Sequence, residues 1–87
     1  MSYEVRLRRA AQKQLDGLPG QSYQAVARAI SALEGDPRPP RAKRLADSGL
    51  WRVRVQRYRV VYVIDDTEHL VTVVRVARRT ENAYRRL

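Results

Sequence analysis

Apolar and polar positions change period twice along this chain. Tyr3, Val5 and Leu7 alternate with Glu4 and Arg6, the period of a half-buried strand. Ala10, Ala11, Gln14, Leu15 and Leu18 then recur at helical spacing until Pro19-Gly20 interrupts, which predicts a helix ending near Leu18. From Gln21 the apolar residues Tyr23, Val26, Ile30 and Leu33 step by three or four, with Ser22 placed to cap the start and Gly35-Asp36-Pro37 to stop it. The two segments make a helical hairpin.

Gly35 to Arg44 holds three prolines and four cations, too polar and Pro-rich for a packed element, and reads as a connecting loop. Three Val- and aromatic-rich runs follow, Leu50 to Val55, Tyr58 to Ile64 and Leu70 to Ala77. The short connections Gln56-Arg57 and Asp65 to His69 predict an antiparallel meander. The expected fold is α+β in the order β-α-α-β-β-β, one domain over residues 1–87, with the helical hairpin covering one sheet face. Thr80 with Glu81 is placed to cap a final helical turn before the tail.

Alternation puts Trp51, Val53 and Val55 on one face of their strand and Arg52 and Arg54 on the other. If Gln56-Arg57 is a two-residue turn, Val55 lies opposite Tyr58 and Arg54 opposite Arg59. Any one long arginine can splay into solvent, but like charges directly opposed are destabilising, and an anion between them relieves the repulsion. A phosphate is the natural candidate. A type I′ turn prefers Gly or Asn, and Gln56-Arg57 supplies neither.

Charge sharpens that picture. Eighteen Lys and Arg face nine acids, a formal +9, and only Lys13 and Lys43 are lysines. Residues 1–37 carry five cations and four acids, whereas residues 38–87 carry thirteen and five, so nearly all the excess lies beside the predicted sheet. Such a balance points to a polyanion partner through counterion release. No apolar stretch approaches the roughly 20 residues that span a bilayer, and the N-terminus lacks a signal-peptide core, so a cytoplasmic location without a membrane partner is expected. The chain has no cysteine and one histidine, His69, which excludes disulfides, a thiolate nucleophile and a Cys/His zinc site. If the last strand returns antiparallel beside Tyr58 to Ile64, Arg79 and Tyr84 approach the same patch as Arg59.

Several stretches together carry a resemblance: the strand and helical hairpin, the lysine and leucine of Lys43-Arg44-Leu45, Leu50-Trp51-Arg52-Val53-Arg54-Val55, Tyr58-Arg59-Val60-Val61-Tyr62, and Arg78-Arg79 with Tyr84. The chain resembles the RelE/ParE toxin superfamily, on its RelE-type side. The resemblance implies a bacterial toxin of a type II toxin–antitoxin pair that enters the ribosomal A site and cleaves mRNA there, neutralised by a cognate antitoxin. It implies no metal and no small-molecule cofactor. Arg52 and Arg54 match basic positions that are lysines in well-studied members, Arg59 a phosphate-binding arginine, Arg79 a catalytic arginine and Tyr84 a C-terminal tyrosine. The usual Gly-Asp before Tyr-Arg is Gln56-Arg57 here.

Metal-free RNA cleavage needs the 2′-hydroxyl deprotonated and aligned, the phosphoryl charge stabilised and the departing 5′-oxygen protonated. A guanidinium, with pKa above about 12, suits the middle task and is a poor base. Arg54, Arg59, Arg79 and Tyr84 are therefore the catalytic candidates: Arg54 and Arg59 for charge, Arg79 for the leaving oxygen or its phosphate, Tyr84 for the nucleophile or for stacking on a base. Arg52 positions the backbone, and Lys43, Arg44, Arg57 and Arg78 join it as RNA- or phosphate-binding candidates. Glu81 reads first as a cap or Arg partner, and His69 as a turn residue away from the patch. So thin an acid–base set predicts dependence on the ribosome. Two alternatives remain open: a ParE-like gyrase inhibitor that hydrolyses nothing, and a plain RNA-binding module. The outer face of the helical hairpin is expected to meet the antitoxin, an acidic or amphipathic chain.

Overall fold

A computed structural model describes residues 2–79. The expected helical turn at Thr80-Glu81, and Tyr84, lie outside the described residues. The elements are β1 (Glu4–Leu7), α1 (Arg9–Asp16), α2 (Gly20–Ala32), β2 (Lys43–Leu45), β3 (Leu50–Val55), β4 (Tyr58–Asp65) and β5 (Leu70–Arg78). They form one sheet in the order β1-β5-β4-β3-β2, with β1 parallel to β5 and every other pair antiparallel. The α+β reading holds, with one strand added.

That strand is Lys43–Leu45, within and just beyond the stretch read as loop. Three residues are too few to show alternation, and the strand is defined by its turn. The Ser48 hydroxyl donates to the Leu45 carbonyl at 2.8 Å and accepts from the Leu50 N–H at 3.1 Å, while Asp47 and Gly49 take φ of 53° and 75°. The hairpin so closed sets Lys43 opposite Arg52.

The helices cover one face. Ala11 and Leu15 of α1, and Val26 and Ile30 of α2 with Leu33 just beyond, meet Val53, Val60, Tyr62, Val71, Val73 and Val76 in the buried cluster. Each Val, Leu or Ile side chain so buried contributes on the order of 1.5–3 kcal/mol. The buried stripe of α2 starts at Val26, and Tyr23 stays 38% exposed. Pro19 is the N-cap in place of Ser22, since proline fixes φ near the helical value and its missing N–H costs nothing there. Ser22 instead directs its hydroxyl to Gln56 Oε1 at 3.4 Å, joining α2 to the β3–β4 turn.

A bulge interrupts β4–β5 pairing at Val61/Tyr62. Beyond it Val76, rather than Arg75, faces the core, where Val71 and Val73 already lie. β1 stops at Leu7 opposite Val73, so Val76 projects its N–H past the end of that strand, and Gln14 of α1 accepts it at 2.7 Å.

Hydrogen bonds and an ion pair also pin the Pro-rich loop. The buried Tyr62 hydroxyl donates to the Pro37 carbonyl at 2.8 Å, and burial pushes its phenol up to about 12. Arg38 makes a two-pronged pair with Asp66 at 2.7 and 3.2 Å, and its guanidinium lies 5.2 Å from the Trp51 ring centroid. Tyr3 donates to Asp66 at 2.7 Å.

Hydrogen bonds from Arg38 first, and then Tyr3, hold the Asp66 carboxyl down to about 2 from its usual 3.8. A carboxylate lowered in the folded state stabilises the fold above its unfolded value, and the contribution disappears as pH falls through the folded one. Urea unfolding at stepped pH is therefore expected to show Asp66→Asn with a flatter acid limb between about pH 4 and 2; an unchanged limb would remove the clamp from the account. Of the β3–β4 turn residues Gln56 alone takes a left-handed φ, 54°. Gln56→Gly, which relieves it, is expected to raise stability by about 0.5–1 kcal/mol in the same assay, and a loss would contradict the strain.

Candidate nucleic-acid interface

Arg54 stands opposite Arg59, as the two-residue turn requires, with Val55 opposite Tyr58. The Arg79 N–H donates to the Arg57 carbonyl, so residue 57 bonds towards β5, residue 58 towards β3 and residue 59 towards β5 again. Arg54 and Arg59 are thus a non-hydrogen-bonded pair, the closer kind, with Cα atoms about 4.5 Å apart. Arg54 is exposed and Arg59 half-buried, its Nε shut off from solvent. Both lie on the face without helices.

Two residues back along β3, about 6.6 Å away, a second rung runs Lys43, Arg52, Val61, Arg75 across four strands. Lys43, Arg52 and Arg54 join Arg41 around a groove of about 320 Å³. Arg79 follows the end of β5, level with the turn, its guanidinium donating to the Gln56 carbonyl at 3.3 Å. Alternation from Ala77, the partner of Arg59, puts Arg79 on that same face.

The fold therefore brings Lys43, Arg52, Arg54, Arg59 and Arg79 to one face and end of the sheet. Arg44 and Arg78 pair with Trp51 and Tyr58, whose side chains point to the helical side, so neither joins them. Arg57 sits in the turn itself. His69 lies in the turn at the other end of the sheet, its ring 5.0 Å from that of Tyr3. Sequence reasoning missed Arg41 and Arg75. The apolar spacing Val71, Val73, Val76 breaks alternation and signals the bulge that turns Arg75 outward. Counting back from Lys43 opposite Arg52 brings Arg41 level with Arg54.

A family model described as ParE toxin of type II toxin-antitoxin system, parDE, matches residues 5–83. The chain belongs to the ParE toxin family. Among solved structures this toxin is similar to a chain of the archaeal RelE–RelB complex from Pyrococcus horikoshii, with 25% identity and a TM-score of 0.83 over 93% of this chain and 99% of that one. It is similar to a chain of the toxin–antitoxin complex RelBE2 from Mycobacterium tuberculosis, with 30% identity and a TM-score of 0.80 over 91% and 100% of the two chains. The chromosomal ParDE system from P. aeruginosa shares the fold, at 12% identity and a TM-score of 0.72 over 88% and 96%. No curated protein matches the sequence. Together these matches establish a type II toxin of the RelE/ParE superfamily. No helix among the described residues is long and apolar enough to cross a membrane.

Two arginines directly opposed at the closer cross-strand distance repel each other, and that contact works against the fold. In low-salt buffer Arg54→Thr is expected to raise stability by about 0.5 kcal/mol, a gain that shrinks when inorganic phosphate is added. Thermal melts with and without phosphate check this, and a destabilised variant would remove the conflict between charge and fold.

Proposed function

We propose that this toxin is a metal-independent endoribonuclease that cleaves mRNA in the ribosomal A site. The observation that carries the reading is the opposed pair of Arg54 and Arg59 with Arg79 at the end of the same face. A phosphate between Arg54 and Arg59 meets two guanidinium forks, and the negative charge that grows on its oxygens during displacement strengthens both contacts. Arg79 reaches the departing 5′-oxygen or its phosphate from the turn side. Tyr84 orients the 2′-hydroxyl or stacks on a base, a role that rests on the resemblance. Arg52 and Lys43 hold the backbone, with Arg44, Arg57 and Arg78 as outlying cations. A guanidinium is a poor general base, so proton transfer depends on the ordered ribosomal complex. Similarity to RelE chains at 25% and 30% identity supports the same choice.

Those relatives were solved as complexes of toxin with antitoxin, which supports a cognate antitoxin partner here in the cytoplasm. An acidic or amphipathic chain complements a domain of formal charge +9. The second reading is inhibition of DNA gyrase without hydrolysis, favoured by the ParE description of the matching family. Shared fold does not choose between them.

Primer extension on programmed ribosomes decides. Wild type is expected to give new mRNA ends that are absent on free RNA, with Arg59→Ala lowering their yield by about 100-fold or more and Tyr84→Phe also lowering it. Intact mRNA together with loss of gyrase supercoiling would replace this reading by the second.

A further inference from the structure

The edge of the sheet is open where β2 stops. Pairing with β3 covers Leu50 to Arg52 only, and the chain before Lys43 leaves through Pro39-Pro40-Arg41. Prolines have no N–H to give a ladder, so this segment cannot extend β2 along Val53–Val55. Pro37 and Arg38 anchor its far end through Tyr62 and Asp66, and the Ala42 N–H closes a turn onto the Pro39 carbonyl at 2.8 Å. A notch held from both sides results.

The notch has two mouths of different chemistry that share Arg41 and Arg54. On the open face is the groove whose lining residues are all cationic. On the helical side is a cleft of about 470 Å³ with apolar walls, from Ala29 and Ala32 of α2, Pro39 and Pro40 of the loop, and Val53 and Val55 of β3. That volume lies within the range of small-ligand sites. Because Arg54 and Arg59 are not hydrogen-bonded to each other, the backbone N–H and C=O of Arg54 turn towards the notch, one donor and one acceptor beside the apolar walls.

We propose that the notch binds one nucleotide of a single-stranded RNA, its phosphate in the cationic groove and its base in the apolar cleft. The inference rests on the ribonuclease reading for its place in the reaction: the Arg54–Arg59 rung takes the scissile phosphate, and the Lys43–Arg52 rung, with Arg41, takes the next phosphate along the strand. Two β-residues of rise separate the rungs, close to the separation of neighbouring phosphates in one strand. A flat base fits between prolines and valines, and the Arg54 backbone reads its edge. The notch thereby selects the base beside the cut. An acidic peptide could meet the same cations, but it needs no flat apolar slot.

Amide NMR of the full chain, titrated with nucleoside monophosphates and with ribose phosphate, tests this. Nucleoside monophosphates are expected to shift Ala29, Ala32, Val53 and Val55 as well as Arg41 and Lys43, and ribose phosphate only the last two. Ala32→Leu, which fills the cleft, is expected to weaken nucleotide binding about tenfold and leave ribose phosphate affinity in place; Ala29→Leu does the same from the same helix should the first variant misfold. Arg41→Ala is expected to weaken both ligands and to lower the salt slope of RNA binding by about one. On ribosomes Ala32→Leu alters which base flanks the cut. Wild-type cleavage with cleft amides silent to every nucleotide overturns the notch alone. Nucleotide binding in the notch without ribosomal cleavage overturns the ribonuclease reading and leaves the notch standing. Cleft shifts with an acidic peptide but with no nucleotide overturn the proposal in favour of a protein partner.

Discussion

The register of the β3–β4 hairpin is the constraint on which everything else depends. A slip by one residue would send Arg52 and Arg54 under the helices and turn Val53 and Val55 to solvent. Burial of Val53, Val60 and Tyr62 against α2 and α1 forbids that slip, because each charged side chain brought inside would need a partner that the apolar cluster does not offer. The same burial forces Arg54 and Arg59 into the closer kind of cross-strand pair. A repulsive contact is therefore maintained by packing on the other face of the same strands. The site and the core are two sides of one register.

Local conflicts gather at the same end of the molecule. Gln56 occupies a left-handed conformation at a turn where glycine is the easier choice, and its carbonyl receives Arg79. Side chains from α2 and from just past β5 thus converge on the two-residue turn, Ser22 and Arg79 both reaching Gln56. Strain and like charge at one place are costs that the rest of the domain offsets by ordinary burial. Such a concentration fits a surface built to receive an anion.

The loop from Gly35 to Arg44, which runs from Asp66 to the Arg54 end of β3, shows how a Pro-rich segment contributes to a site without packing in a core. Its prolines keep it from extending the sheet, and Arg38, Asp66, Tyr3 and Tyr62 keep it close. Arg41 is carried on the segment between these anchors and β2. Loop chemistry and sheet register together decide which cations share a groove.

Much of the architecture was legible in the chain. The change of period from two to between three and four and back marks the helical hairpin and four strands, and the two-residue spacing between Val55 and Tyr58 sets Arg54 against Arg59. These are local facts, fixed by the geometry of neighbours along one hairpin. Pairing between distant segments was not legible: that β1 joins β5 in parallel, that three residues at Lys43 form an edge strand, and that Gln14 receives the Val76 N–H. The bulge that turns Arg75 outward left a trace in the spacing of Val71, Val73 and Val76, but the strand it is paired against, and so where Arg75 ends up, comes only from the ladder. Arg44 and Arg78 look equivalent to Arg52 and Arg79 by composition, and only the ladder assigns them to the other side. The sequence by itself determined the helical hairpin, the four longer strands, the charge and the opposed arginine pair, because those depend on spacing within a few residues. Which other cations reach that pair was decided by tertiary pairing, because a face is a property of the whole sheet.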